Sequence, residues 1–212
     1  MNNEEAYLVG YTKGDGCLYS CEHRFKLNPE KILKEYEITW GDIDTTQLKM
    51  IEEIVKNIFP DVLIRLKFRK KSKGKILRCK RRKAFVYIKN LMSMDIGKEH
   101  LENIANFISG FCDAEGDISK SRNGPRKYEN YAVRVNITQK NRETLETIKR
   151  LLEEKFGIKS YIHQKWNQNA FVLSIVGNKQ LTIFKEKINF RNPTKKSKLE
   201  SLLSTVYSRP KS

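Results

Sequence analysis

Hydrophobic residues recur along this chain with the spacing of amphipathic helices. Over residues 45–59 and again over residues 142–156, apolar side chains return every three or four positions, as at Leu145, Ile148 and Leu152. This period places them on one side of a helix. The pattern predicts two helices, each with one buried face.

Each of these helices is followed by two segments typical of strands around a polar turn. The predicted pairs are residues 62–69 with 75–83 and residues 159–166 with 170–176, because β-branched and aromatic residues alternate with polar ones there. A helical pattern follows each pair, at residues 84–92 and 178–187, and a last helix is predicted at residues 195–207.

A ten-residue segment occurs twice. Residues 7–16 read YLVGYTKGDG and residues 107–116 read FISGFCDAEG, which places Asp15 and Glu115 100 positions apart. Residues 37–40, EITW, return as residues 136–139, NITQ, 99 positions later. Two landmarks at nearly one spacing indicate an internal duplication. We therefore predict two halves, residues 1–97 and 98–212.

Each repeated segment is predicted to be helical, over residues 7–14 and 101–114, with small residues four positions apart on one face. Such residues allow two helix backbones to approach closely, so the two helices are expected to pack against each other. The small residues are Gly10 and Gly14 in the first copy and Gly110 and Ala114 in the second.

Both repeated helices are expected to end in an acid followed by glycine. Gly16 and Gly116 suit a left-handed position after a helix end. Asp15 and Glu115 then lie where the helix dipole is negative, which disfavours a carboxylate by about 0.3–1 kcal/mol. A divalent cation would offset this, and Mg²⁺ prefers oxygen ligands. We expect these carboxylates and the carbonyl oxygens of Gly14 and Ala114 to form a metal site.

The charge balance points to a polyanionic partner. The chain has 42 Lys and Arg against 25 Asp and Glu, a net charge of +17, and a pI near 9.7. Nucleic acid is the expected partner, because an anionic membrane would require a basic amphipathic helix and the most basic segment here predicts strands. No signal peptide or membrane span is recognisable, so a cytoplasmic location is expected.

Cysteine and histidine add little at this stage. Four cysteines are too few for a disulfide scaffold and show no zinc-like spacing, so reduced, structural thiols are expected. The three histidines show no ligand spacing either. High Lys, Glu and Ile content is typical of thermophiles. The cysteines are Cys17, Cys21, Cys79 and Cys112, and the histidines are His23, His100 and His163.

A basic ribbon is expected to bind the nucleic acid. Residues 65–83 contain twelve Lys or Arg and no acid, and alternation with apolar residues predicts a cationic face that can lie in a major groove, with its apolar face on a helix. The residues expected to contact DNA in the first half are Arg65, Lys67, Arg69, Lys71, Lys75, Arg78, Lys80 and Arg82. Those in the second half are Arg122, Arg126, Arg134, Lys140, Tyr161, His163 and Lys165.

Residues 8–16 and 108–116 resemble the LAGLIDADG motif of single-chain, two-motif homing endonucleases. The resemblance implies an α/β (α+β) fold of two pseudo-twofold-related αββαββα repeats, with motif helices at the interface and antiparallel sheets forming a DNA-binding saddle. It also implies a monomer that cuts both DNA strands with Mg²⁺, whose site Mn²⁺ or Ca²⁺ can also occupy, and leaves 3′ overhangs.

The resemblance further implies roles for particular residues. Asp15 and Glu115 would bind the metal. Gln139 matches a residue that organises water, and Trp40 is expected at the same place in the first half. A basic residue before the last helix of each half would be Lys98 in the first copy and Lys195 or Lys196 in the second.

Two other functions remain open. One is a nucleic-acid binder of the same fold without cleavage, either an RNA maturase for its own intron or a DNA-binding regulator. The other is an intein endonuclease, although the start at Met1 and the lack of a splicing block favour a free-standing, intron-encoded protein.

Overall fold

The computed structural model describes residues 1–25, 28–68, 74–122, 131–165 and 168–207. In the first half the elements are α1 (Asn3–Asp15), β1 (Gly16–Phe25), β2 (Asn28–Asp42), α2 (Thr45–Ile58), β3 (Ile64–Phe68), β4 (Lys75–Cys79) and α3 (Arg82–Ser93). After a short 3-10 turn (Ile96–Lys98), the second half contains α4 (Leu101–Glu115), β5 (Gly116–Arg122), β6 (Tyr131–Gln139), α5 (Arg142–Phe156), β7 (Ser160–Gln164), β8 (Phe171–Val176), α6 (Asn178–Lys187) and α7 (Pro193–Tyr207).

Two antiparallel sheets repeat one topology. The first has the strand order β1-β2-β4-β3 and the second β5-β6-β8-β7, with four strands each. The predicted αββαββα order is confirmed in both copies, and α7 is added after the second. None of the helices in the described segments is long and apolar enough to cross a membrane.

Helix α5 shows why its bounds were predictable. Asn141 precedes it and its side chain accepts a hydrogen bond from the amide of Thr144, which caps the first turn. At its other end Gly157 adopts φ +68°, a left-handed conformation that glycine accepts without steric cost. Leu145, Ile148 and Leu152 face the core.

The two motif helices α1 and α4 join the two hydrophobic cores. Ala6 and Val9 of α1 pack into the core of the second half, whereas Tyr7, Leu8 and Tyr11 pack into the core of the first. One helix therefore has apolar side chains buried on opposite sides, which fixes the halves relative to each other.

The basic strand β3 differs from its prediction. It is an edge strand in which Leu66 is 40% and Phe68 77% exposed, so the apolar face expected to be buried against a helix is largely open. Strand β4 ends at Cys79 and α3 begins at Arg82, so the predicted strand over residues 75–83 is too long.

Candidate metal centre and nucleic-acid interface

Helices α1 and α4 cross so closely that their backbones are in contact. A Cβ atom added to Gly10 would lie 2.0 Å from the carbonyl oxygen of Phe107, and one added to Gly110 would lie 2.1 Å from the carbonyl oxygen of Tyr7. A Cβ atom on Gly14 would lie 2.4 Å from the Cβ atom of Ala114. The small residues therefore permit this crossing, and the carboxyl ends of the two helices meet.

The two motif acids are the last residues of these helices, Asp15 in α1 and Glu115 in α4. The glycines that follow are not left-handed as expected, since Gly16 has φ −93° and Gly116 φ −86°. Glycine is required at these positions because a larger residue would not fit. A Cβ atom added to Gly16 would lie 2.5 Å from the carbonyl oxygen of Thr12. The chain passes directly from helix to strand.

Glu115 lies half-buried between a donor and a cation. The Gln139 Nε2 atom donates a 2.8 Å hydrogen bond to its Oε1 atom. Burial raises the pKa of Glu115 above its usual range, and the hydrogen bond from Gln139 and the positive charge of Lys195 oppose this rise. Removal from water thus disfavours the ionised carboxylate, which increases its preference for a cation.

The first half does not place Trp40 where the second half has Gln139. Gly16 pairs with Trp40 across β1 and β2, whereas Gly116 pairs with Ile137 across β5 and β6. The residue equivalent to Trp40 is therefore Ile137, and both are buried core residues. The expectation was wrong because the segment between motif and strand end is three residues longer in the first half.

Asp42 occupies the place of Gln139 in the first half. Each is the last residue of its strand and lies three residues before the following helix. The Asp42 carboxylate accepts a 2.8 Å hydrogen bond from the Tyr11 hydroxyl. Burial raises the pKa of Tyr11, and the negative charges of Asp42 and then Asp15 raise it further, so both carboxylates lie in one negative environment.

Of the three predicted lysines, Lys195 contacts the end of α4 that carries Glu115, whereas Lys196 is an exposed residue of α7. The Lys195 Nζ atom donates to the carbonyl oxygens of Cys112 at 3.3 Å and of Asp113 at 2.5 Å, in the last turn of α4. Lys98 lies before the other end of this 15-residue helix, about 20 Å away. Its side chain is 84% exposed and pairs with Asp95, so the expected role for Lys98 is wrong.

Asp113 is a buried acid that the sequence analysis did not single out. Its Oδ2 atom accepts hydrogen bonds from the Tyr7 hydroxyl at 2.6 Å and from the amides of Arg191 at 3.0 Å and Asn192 at 2.9 Å. Burial raises the pKa of Asp113 to about 6, against these hydrogen bonds and the charge of Lys195. This acid thus ties α4 to α1 and to the start of α7.

Asn192 continues this network and fixes Lys195. Its Oδ1 atom accepts from the amides of Thr194 and Lys195, which caps α7. Its Nδ2 atom donates to Asp44 at 3.1 Å, the residue that caps α2 of the other half. The position of Lys195 therefore depends on contacts that cross the seam between the halves.

The first sheet has an open face on the side away from the helices. Leu66 and Leu77 pair on the helix side, so Arg65 and Arg78, which pair one residue away, point to the open side, because side chains alternate along strands. Lys67 is also on the open face and is exposed. Three predicted DNA-contacting residues therefore share one surface.

Acids on β2 face part of the basic ribbon, which the sequence alone did not indicate. Glu37 pairs with Arg78, with Oε1 3.3 Å from Nε, and with Lys80 at 3.4 Å. Glu35 also forms an ion pair with Lys80. The β2 carboxylates thus neutralise part of the charge of Arg78 and Lys80, whereas Arg65 and Lys67 are exposed on the edge strand.

Two predicted contacts lie on the helix side instead. The Lys75 Nζ atom donates to the Thr45 hydroxyl at 2.5 Å and lies 5.1 Å from the Phe68 ring centre. Arg82 is the first residue of α3 and its guanidinium lies 5.8 Å from the Tyr36 ring centre. Neither belongs to the open face, because β4 places Lys75 on the Leu77 side and ends before Arg82.

The second sheet also has an open face, on which every second residue of β7 lies, as predicted. Tyr161 and His163 of β7 are exposed there, and Arg134 of β6 pairs with Val176 on the same side. The remaining predicted contacts in the described segments, Lys140 and Lys165, are exposed. Arg69, Lys71 and Arg126 lie outside the described residues, as does the side chain of Arg122.

Comparison with known proteins agrees with this fold. Residues 102–189 match the family described as LAGLIDADG-like domain. Over 108 residues, 51% of this chain and 7% of the relative, the sequence is 32% identical to Elongation factor 2 of Methanopyrus kandleri. Over 97 residues, 46% of this chain and 40% of the relative, it is 33% identical to Homing endonuclease I-ApeI of Aeropyrum pernix. The chain therefore spans less than half the length of either curated relative.

Among solved structures, that of I-DmoI in complex with DNA and Mn matches 88% of this chain and 96% of its own, with a TM-score of 0.66 and 23% identity. I-DmoI is described as a homing endonuclease. The resemblance to the LAGLIDADG family is thereby confirmed: the second half contains a LAGLIDADG-like domain, and the whole chain has the fold of this endonuclease.

Proposed function

We propose that this chain is a site-specific DNA endonuclease that hydrolyses both strands of a long, asymmetric duplex with a divalent cation. The observation that carries the proposal is the meeting of two helix ends, each bearing an acid, at the seam between two sheets whose open faces carry cations. Two similar proteins support this proposal: I-ApeI is named a homing endonuclease, and I-DmoI has been solved in complex with DNA and Mn.

The residues at the seam fit a hard divalent cation. Asp15 and Glu115 would hold it with the carbonyl oxygens of Gly14 and Ala114, and Asp42 would add a third carboxylate beside Asp15. When bound, the cation stabilises the charge on the phosphoryl oxygens and lowers the pKa of a coordinated water. Mg²⁺ is the cation we propose, because all of these donors are oxygen atoms.

The remaining polar groups would position the reactants. Gln139 holds one Glu115 oxygen by its hydrogen bond and would orient a water at that carboxylate. Lys195 is fixed at the last turn of α4, where its ammonium would stabilise negative charge that develops on the scissile phosphate. The two arrangements differ, with Asp42 in one half and Gln139 in the other, so the two strands would be cut at different rates.

We propose that one molecule suffices for both cuts, because a single chain supplies both motif acids. Cleavage would leave 3′ overhangs, inside the cell where the target DNA lies. Arg65, Lys67 and Arg78 would contact one side of the target, and Arg134, Tyr161 and His163 the other. Phosphate contacts fix orientation, whereas base contacts select sequence.

The experiment is a selection for cleaved sites in a randomised duplex library with Mg²⁺. Recovered ends should define one long asymmetric target with cuts on both strands, and EDTA should abolish cutting while leaving binding. Binding of a defined sequence without cuts would replace the proposal with that of a DNA-binding regulator. Binding of the host intron RNA alone would replace it with that of a maturase.

A further inference from the structure

A cluster of potential metal ligands lies on the open face of the first sheet, away from the motif acids. Cys21 and His23 are two residues apart on β1 and therefore point to the same side. Glu35 is the residue on β2 that pairs directly with Cys21. One ligand atom of each residue lies within 4.8 Å of the others, and the three donors come from one hairpin.

Two of the distances between these ligand atoms are close to the distances between the ligands of a bound zinc ion. The Cys21 Sγ atom lies 3.0 Å from the His23 Nε2 atom, which lies 3.4 Å from the Glu35 Oε2 atom. Ligands held tetrahedrally at zinc bond lengths of about 2.0–2.3 Å are separated by roughly 3.3–3.8 Å. Only small side-chain rotations are therefore needed, and the exposed His23 has room to make them.

We propose that Cys21, His23 and Glu35 form a binding site for Zn²⁺ that is separate from the metal centre of the motif acids. Thiolate, imidazole and carboxylate are the ligands that zinc uses in proteins. Mg²⁺ and Ca²⁺ prefer oxygen donors alone, so the two sites take different ions. The sequence spacing did not indicate this site, because the third ligand comes from the neighbouring strand.

Glu35 can bind the ion without losing its lysine. The Lys80 ammonium contacts the Oε1 atom of Glu35, whereas His23 is nearest to the Oε2 atom. The ion pair with Lys80 would then hold the Glu35 carboxylate in its orientation, as hydrogen-bonding partners of ligating carboxylates commonly do. Three protein ligands leave a fourth tetrahedral position, which a water can fill on this open surface.

The test uses Co²⁺ as a spectroscopic substitute for Zn²⁺, under reducing conditions and with excess Mg²⁺ to occupy the motif acids. The wild-type chain should bind one Co²⁺ with a thiolate-to-cobalt charge-transfer band, and Zn²⁺ should displace it. Cys21→Ser should abolish the band. His23→Gln should weaken Co²⁺ binding at least tenfold. Even the loss of a residue that only contacts a metal ligand lowers metal affinity by about 10–100-fold.

Two controls separate this site from others. Cys17→Ser removes the exposed cysteine four residues earlier on the same face of β1 and should leave the band unchanged. A double variant, Asp15→Asn with Glu115→Gln, should also keep it, whether or not the protein cleaves DNA. The proposal is overturned if wild type shows no band, if the band survives Cys21→Ser, or if either control removes it.

Discussion

The side-chain amide of Gln139 donates a 2.8 Å hydrogen bond to the carboxylate of Glu115. Asp42, the equivalent residue of the first half, instead accepts a hydrogen bond from Tyr11. One half thus supports its motif acid with a neutral donor, whereas the other adds a negative charge. The duplicated fold is symmetric in its backbone but not in the chemistry around its two acids.

We expect Gln139→Leu to weaken divalent-metal binding and to slow cleavage by about 10–100-fold, the usual cost of losing a partner of a metal ligand. Binding of target DNA without metal should stay within a few-fold, because Gln139 lies beside Glu115 and not on the open face. Metal-dependent cleavage rates and DNA affinity in EDTA measure the two effects. Equal losses in both would show that Gln139 has a general structural role.

Replacement of Lys195 by Met should shift the pH dependence of cleavage. The positive charge of Lys195 lowers the pKa of Glu115, so its removal raises this pKa further. Because a metal competes with protons for a carboxylate, the acidic limb of the rate profile should move to higher pH. Lys98→Met is the matched control and should leave the profile in place, since Lys98 lies at the far end of α4.

The stability of Asp113→Asn relative to wild type should rise with pH. Burial raises the pKa of Asp113 to about 6, from about 4 in an unfolded chain. Between these values the folded state holds a proton that the unfolded state has lost, so this residue makes the wild type less stable as pH rises. The variant has no such group.

Urea unfolding of both proteins at several pH values from 4 to 7 measures this difference. A difference that is constant with pH would contradict the assignment. Asp113→Ala should destabilise the protein by about 3 kcal/mol or more near pH 4, because it leaves two buried donors and one partly buried donor without an acceptor at about 1–3 kcal/mol each. This loss should become smaller as pH rises, because the wild type is itself less stable at higher pH.

Gly10→Ala should destabilise the folded protein by about 3 kcal/mol or more, because overpacking against backbone forces two helices apart. The added Cβ atom would lie 2.0 Å from the Phe107 carbonyl oxygen. Gly97→Ala is the control, because a Cβ atom added there would approach the Oδ1 atom of the Asp95 side chain no closer than 3.3 Å, and its effect should stay below about 1 kcal/mol. Similar losses in both variants would argue against tight packing of α1 and α4.

Sequence periodicity predicted most of the fold. The predicted helices over residues 142–156 and 178–187 have the bounds of α5 and α6. Each has a regular apolar spacing and a glycine directly beside one end, Gly157 after α5 and Gly177 before α6. The edge strand β3 was less predictable. Its alternation indicated a buried face, but burial depends on whether a helix covers the sheet edge, and Phe68 remains exposed.

The candidate site was predicted where chemistry follows directly from the motif. Asp15 and Glu115 were named from the repeated motif and Gln139 from the family resemblance, and the structure brings Gln139 to Glu115. Asp42 was missed because the halves were aligned from the motif, although counting back from the starts of α2 and α5 aligns it with Gln139. Asp113 was missed because its partners lie in α1 and before α7, far away in sequence.

The most direct test of the account is the rate at which Asp15→Asn and Glu115→Gln cut the selected target, measured separately on each strand with Mg²⁺. If a cation between these acids performs the hydrolysis, each variant should lose cleavage of at least one strand by orders of magnitude while binding the duplex within a few-fold of wild type. Normal cleavage of both strands by either variant would contradict the assignment of the metal centre.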